Sequence, residues 1–433
     1  MSIRTTGTAT PTRVTALTRK LLQIDTSNPG RAEKPAAELV ADHLAGLGVA
    51  VQWFEPEPGR CSLVGRIPGQ DSSLPALLLH GHLDVVPAIE KDWQRDPFGG
   101  DLADGYLWGR GAVDMKGTVG IILDTLQTLH DRGAQPRRDL VVAFFADEEA
   151  GGQLGAGHVI RSRPDLFIDC GEAIGEVGGF SRTLDDRNRA YFVATAEKGV
   201  WWSRITATGR AGHGSMINMN NAVSHLVSAI ARVAEYTGHQ TPTAATTAMF
   251  YRLRTVLDLP DASAEELIER LGPLSRMVQA GLCNTVNPTQ LEAGYKSNVV
   301  PGTASGTLDC RFLPGTEARF RDEVSALAGD RVRLEDIYRG PAVEASLDSA
   351  LLESIGDALR HEDRMAFVLP YMSTAFTDAK WLAQLGIQCY GFAPMLLPDE
   401  LDFTALFHGV DERVPTTALD FGVRVFDRLL SNY

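Results

Sequence analysis

Apolar residues return at helical spacing from Val14, at Leu17, Leu21, Leu22 and Ile24, and again at Ala36, Leu39, Val40, Leu44 and Leu47. Two amphipathic helices are expected there, separated by turn chemistry over Asp25-Thr26-Ser27-Asn28-Pro29-Gly30. The pattern then shortens. Pro75 to His80 (PALLLH) and Asp139 to Ala146 (DLVVAFFA) are brief, unbroken apolar runs, the signature of strands covered on both faces. Helical periodicity between them, as in Gly117 to Leu129, makes an α/β rhythm with a mainly parallel sheet and helices on both of its faces.

Near Lys198 the period changes. Trp201 to Thr208 (WWSRITAT) alternates like a half-buried antiparallel strand, a helix is expected from about Asn221 to Tyr236, and Thr303 to Arg311 alternates again. Past Pro341 the helix-like Leu351 to Arg360 and the apolar Ile387 to Phe392 restore the first rhythm. The simplest parse is one α/β domain formed by residues 1–197 and 342–433, interrupted by an inserted α+β domain over residues 198–341. No internal repeat is evident, and the Thr/Ala-rich Thr241 to Ala248 reads as a biased loop.

A chain of 433 residues suits two domains, and 44% hydrophobic with 22% charged residues is ordinary globular usage. The formal net charge of −14 offers no basic footprint for nucleic acid or an anionic membrane, so neither is expected as a partner. Cys61, Cys170, Cys283, Cys310 and Cys389 are odd in number and widely spaced, which indicates neither a disulfide framework nor a thiolate zinc site. Met1 to Arg13 is polar and Thr-rich, without a signal peptide's apolar core, and no later run approaches a membrane span. A cytoplasmic protein is the expectation.

Four clusters of acids and histidines fall at the ends of the expected strands. In His80-Gly81-His82-Leu83-Asp84 the two-residue period of extended chain puts both imidazoles and the carboxylate on one side. His82 can bind a metal while Asp84 orients it through the other ring nitrogen, although a lone strand-end histidine is more often structural. Asp114 stands between glycines in GRGAVDMKG, where the bland alternative is a helix cap. Asp147-Glu148-Glu149 follows an apolar strand, and three adjacent acids call for a cation or for solvent. Glu176 lies in a further glycine-rich loop, GEVGG.

The motifs GHLDVVP, GRGAVDMKG, ADEEAGG, GEVGG and HGVDERV, in that order from His82 to Val414, resemble those of the aminoacylase, carboxypeptidase and succinyl-diaminopimelate desuccinylase family of dinuclear zinc hydrolases. The resemblance implies two zinc ions, with cobalt or manganese as substitutes. His82 and Glu176 would hold one ion, Glu149 and His408 the other, and Asp114 would bridge them. Glu148 would be the general base. His213 in TGRAGHGS matches the family's lid motif, whose histidine reaches a neighbouring active site and stabilises the oxyanion. Asn298 and Arg311 match positions that bind the substrate carboxylate, Thr377-Asp378 could serve as an anchor, and the insert would be a ferredoxin-like lid that pairs two chains.

Two departures stand out. Met115 follows the expected bridging aspartate where some branches carry a second acid, and Ser373 to Ala379 lacks a glycine pair often seen in the substrate-anchoring loop. The stretch from His239 to Gln290 is longer than the compact lid of the desuccinylases. The activity implied is hydrolysis of an amide bond beside an amino-acid carboxylate, in an N-acyl amino acid or a short peptide. A desuccinylase or deacetylase of amino-acid biosynthesis is the nearest alternative. A binding protein that has lost catalysis is opposed by the complete set His82, Asp114, Glu148, Glu149, Glu176 and His408.

Overall fold

A computed structural model describes residues 10–433; the start of the polar leading segment, residues 1–9, lies outside them. The chain divides into two compact units, one comprising the chain up to Val193 with Asp348–Leu369 and Thr377–Tyr433, the other Ala194–Leu347 with Pro370–Phe376.

The first unit is built on part of a ten-stranded mixed sheet, in which Val51–Phe54, Ser62–Ile67, Leu140–Phe145, Ala76–His82, Cys170–Gly175 and Gln388–Gly391 are neighbours in that order. The first two pairings are antiparallel. Those that follow are parallel, so the centre of the sheet has the parallel character its apolar runs predict. Leu140–Phe145 and Ala76–His82 are buried at every position, which requires cover on both faces. On one face Leu78, Val141, Ala143 and Phe145 pack with Ala156, Val159 and Ile160 of helix Ala156–Ser162 and with Trp381 and Leu382. Each such large side chain contributes roughly 1.5–3 kcal/mol on burial.

Helix Lys116–Asp131 meets the strand Ala76–His82 and packs in turn against helices Arg13–Leu22 and Thr416–Asn432. Gly120 permits the approach of the first of these, since a Cβ there would stand 2.1 Å from Thr18 Oγ1. The helices expected around Leu17 and Leu39 are present as Arg13–Leu22 and Lys34–Gly46.

The second unit carries a four-stranded antiparallel sheet ordered Thr285–Ala293, Thr303–Phe312, Gly199–Thr208, Val332–Gly340. With helices Ala222–Ala234 and Glu317–Ala328 inserted after its first and third strands, this is the βαββαβ order of a ferredoxin-like fold. Leu226, Ala229 and Val233 of one helix and Phe320 and Val324 of the other share a core with Trp201, Ile205, Leu308 and Cys310.

One expectation is corrected in this unit. The Thr/Ala-rich segment read as a loop enters a helix, Ala244–Val256. Thr243 accepts a hydrogen bond from Thr246 N, and the Thr246 hydroxyl in turn accepts from Thr243 N. This reciprocal cap turns β-branched polar residues into a helix start rather than a break. No helix among the described residues is long and apolar enough to cross a membrane.

Candidate metal centre

The parallel strands of the first unit end together, and their carboxyl ends carry the acids and histidines, as ligand sites of open α/β sheets do. His82 closes Ala76–His82, Glu148 and Glu149 form a short 3-10 turn after Leu140–Phe145, and Glu176 follows Cys170–Gly175. Asp114 comes from the loop preceding helix Lys116–Asp131, and His408 from the segment after Phe403–Leu406.

Asp114 is the shared member. Its Oδ1 lies 2.9 Å from His82 Nε2, which is also 3.2 Å from Glu176 Oε2. Its Oδ2 lies 3.4 Å from His408 Nε2, which is 3.1 Å from Glu149 Oε2. Two sets of ligand atoms therefore converge, His82–Asp114–Glu176 and Asp114–Glu149–His408, each spanning no more than 4.8 Å. Glu148 is buried beside them, and its Oε1, like that of Glu149, has no hydrogen-bond partner among the described residues.

The charges show what the cluster lacks. Burial, reinforced by the Glu176 charge, pushes Glu148 well above the usual carboxylate range, and burial with Asp114 raises Glu149. Glu176 is pushed up to about 8 by burial, against the pull of His82. His408, hydrogen-bonded to Asp114 and Glu149, is raised to about 10. Burial alone would depress His82, yet Glu176, Asp114 and Asp84 raise it well above its ordinary value. Protons thus occupy positions that cations can fill. The donors, one imidazole and carboxylate oxygens per set with a shared aspartate, fit two divalent ions.

His80, two residues earlier, is a different case. Buried, with Nε2 unpartnered among the described residues and pushed down to about 3 by burial, it is a neutral packing residue set against Gly175, where a Cβ would stand 2.3 Å from its ring nitrogen.

Asp84 meets His82 chiefly through its main chain. His82 Nδ1 bonds the Asp84 main-chain carbonyl at 2.9 Å, and the carboxylate is 3.6 Å away. The carboxylate instead accepts Glu148 N at 3.2 Å and Glu149 N at 3.1 Å, clamping the turn that carries both acids. Asn28, from the turn TSNPG, donates to Asp84 at 2.9 Å and to Asp147 at 3.3 Å. Arg60 joins Asp147 at 3.1 Å to buried Glu33 at 2.9 Å. Sequence reading assigned no role to Asn28, Arg60 or Glu33; the only signal was the turn-rich setting of Asn28 ahead of a helix.

A family described as Peptidase family M20/M25/M40 matches residues 78–432. The chain belongs to that family. It is 29% identical to aminoacylase-1 of Sus scrofa over 422 residues, 96% of this chain and 94% of the relative. Its fold is that of an M20 metallo-carboxypeptidase from Sulfolobus solfataricus, with a TM-score of 0.76 at 16% identity over 97% of this chain and 99% of that one. A Bacillus subtilis protein described as a dinuclear metal-binding M20 peptidase superposes with a TM-score of 0.58 at 15% identity, over 97% of each chain. This M20 chain is a hydrolase acting on amide bonds.

The remaining candidate residues of the M20 chain are divided between the two units. His213 and Asn298 are brought together in the second unit, where Gly212–His213 pairs with Val299–Val300 and Gly214 N donates to Asn298 O at 2.8 Å. His213 is exposed, its Nδ1 2.8 Å from Ser215 Oγ. Arg311, also in that unit, points its fork at Asp309, with contacts of 2.6 and 3.1 Å. Thr377 is buried in the first unit; its hydroxyl accepts Ala379 N at 3.1 Å and its carbonyl accepts Lys380 Nζ at 2.8 Å. Its neighbour Asp378, offered with Thr377 as an anchor, is buried with both carboxylate oxygens unpartnered among the described residues, and burial raises it to about 7.

Proposed function

We propose that the chain hydrolyses the amide bond of N-acyl amino acids or short peptides at a dinuclear zinc centre, for which cobalt or manganese can substitute. The observation that carries this reading is Asp114, each of whose oxygens faces its own histidine–glutamate set. His82 and Glu176 would hold one ion, Glu149 and His408 the other, and Asp114 both. Bound there, the ions supply Lewis acidity to a water and to the substrate carbonyl. Glu148 takes the proton from that water and returns it to the leaving amine. Its position suits the task, because Asp84 fixes its main chain while one carboxylate oxygen stays free of competing donors.

Full-length similarity to aminoacylase-1 favours N-acyl amino acids as the first substrates to try. Metal-loaded protein is to be incubated with acetyl-, succinyl- and long-chain acyl-amino acids and with dipeptides while amine release is followed. Release from at least one class is expected, with preference for succinyl substrates marking the desuccinylase alternative. Inertness toward the whole panel with two ions bound would favour the binding-protein reading.

His213 is assigned to the substrate carbonyl, Asn298 and Arg311 to the substrate carboxylate, and Thr377 to substrate anchoring, on the strength of the family motifs. Arg311 would have to exchange Asp309 for the substrate. The second unit is further assigned to pairing of two chains. Beside His213 the loop exposes Met216, Ile217 and Met219 at 70, 93 and 90%, an apolar stretch that a second copy would cover. Strand Gly199–Thr208 is flanked on both sides by other strands, so pairing through strand edges falls to Thr285–Ala293 or Val332–Gly340.

Mixing an inactive Glu148→Gln chain with an inactive His213→Ala chain is expected to restore activity, since one site of each heterodimer then combines an intact base with the partner's intact histidine. Heterodimers demonstrated by mass and still inactive would rule out the exchange. The free state of all five cysteines agrees with a reducing cytoplasm, where we place the protein.

A further inference from the structure

Two charged residues connect, through main-chain atoms, the loops on which two of the ligand residues ride. Strand Arg413–Pro415 pairs antiparallel with Tyr106–Trp108, and Gly109 N continues that ribbon by donating to Glu412 O at 3.0 Å. The ribbon thus delivers the segment 408–412 and the loop 109–114 to the same place.

There the Glu412 carboxylate, fully buried, is saturated with donors. One oxygen accepts Val113 N at 2.7 Å and Asp114 N at 3.0 Å, and the other accepts Gly111 N at 3.0 Å and Arg110 Nη1 at 2.6 Å. The second arm of the Arg110 fork reaches the other loop, with Nη2 2.9 Å from Gly409 O and 3.4 Å from His408 O. Arg110 is itself buried, its guanidinium lying over the Trp93 ring at 5.2 Å.

The two residues therefore hold different ligands. Glu412 fixes the main chain of Asp114, which belongs to both ligand sets, whereas the outer arm of Arg110 fixes the backbone of His408, which belongs to one. We propose that Arg110 and Glu412 are positioning residues of the metal centre, Glu412 governing the affinity of both ions and Arg110 adding control over the ion of the Asp114–Glu149–His408 set alone. The proposal rests on the dinuclear reading above.

The chemistry makes Glu412→Gln informative. A carboxylate accepts at both oxygens, but an amide presents one acceptor and one donor, so either orientation sets an NH2 group against two N–H donors. The loop must move to relieve them, and Asp114 moves with it. In Arg110→Lys one ammonium can still meet Glu412, but it cannot also span to Gly409 O and His408 O as the planar fork does.

Zinc affinities are to be measured on metal-free protein by competition with a chromophoric chelator, at a temperature where circular dichroism shows each variant folded. The unsubstituted chain should take up two ions. Glu412→Gln should weaken both by about 10–100-fold, the range for partners that orient metal ligands. Arg110→Lys should weaken one ion by about 10-fold and leave the other within a factor of two or three of the parent. In both, excess zinc should restore turnover with KM unchanged, which a purely structural defect would not allow.

Variants that merely melt earlier, with parental affinities for both ions, overturn the brace while leaving the dinuclear reading in place. Equal weakening of both ions by Arg110→Lys overturns the division between the two residues. Should Glu412→Gln not fold, the one-ion effect of Arg110→Lys decides. An unsubstituted chain that binds no zinc overturns the reading and the brace together.

Discussion

Glu148→Gln should keep both metals and near-normal substrate affinity while lowering turnover by about 10²-fold or more, because general acid–base catalysis contributes roughly 10²–10⁴. The amide is nearly the same size and shape, and the main-chain bond from residue 148 to Asp84 does not involve the side chain, so the turn should hold. What disappears is the acceptor for the water's proton, since the carboxylate oxygen left free by the surrounding structure becomes part of a group that cannot take it. Glu149→Gln, one residue away, is the internal contrast. That side chain lies 3.1 Å from His408 within one ligand set, so its loss should appear first as weakened metal binding, with activity partly recovered by added zinc. Steady-state kinetics alongside metal analysis separate the two. Near-parental turnover in fully loaded Glu148→Gln protein would remove Glu148 from the base role.

Stripping the metals should abolish amide hydrolysis and leave a chain whose stability falls as pH rises. Without cations, burial and neighbouring acids raise Glu148 and Glu149, and Glu176 is lifted to about 8. A carboxyl raised above its unfolded value stabilises fully below that value and loses the contribution as pH climbs through the folded one. The two histidines of the cluster, His82 and His408, act in the same direction. His408, raised to about 10, and His82, also raised, stabilise below the usual imidazole value and lose that contribution at higher pH. Asp114 is depressed and works oppositely, but only below the ordinary carboxylate range. Between about pH 5 and 9 the metal-free cluster therefore holds more protons in the native chain than in the unfolded one.

Metals replace those protons, so the loaded protein should be much flatter over the same range. The gap in Tm between loaded and stripped protein should widen from pH 6 to pH 9 in thermal scans. A gap that stays constant or narrows would contradict this account of the cluster.

How far this could be read in advance depended on what kind of signal a residue leaves. The unbroken apolar runs ending at His80 and Ala146 announced buried strands, and the acids just beyond them were visible because motif and strand end coincide. The change of period near Lys198 marked a separate α+β insert, while its ferredoxin-like order came from the family resemblance. Asn28, Arg60 and Glu33 left no such mark, because their importance comes from partners such as Asp84 and Asp147 that are remote in sequence and local patterning carries no record of such pairings. Glu412 and Arg110 were in plain view inside HGVDERV and GRGAVDMKG, yet only the folded chain reveals that one caps the other's loop. At Thr243 the composition misled, because two threonines capping each other begin a helix where threonine-rich sequence suggests none.

The first unit is completed only by Asp348–Leu369 and Thr377–Tyr433, after nearly all of the second has passed. During synthesis, His82, Asp114, Glu149 and Glu176 leave the ribosome long before His408 and Glu412 exist. At about 5–20 residues per second the interval is on the order of ten seconds or more. Throughout it the nascent chain carries an acidic half-site whose shared aspartate has no Glu412 to hold its loop. On the dinuclear reading proposed above, a newly made molecule would hold both ions only after the segment 408–412 has docked, which would make full metal loading a late event in its biogenesis.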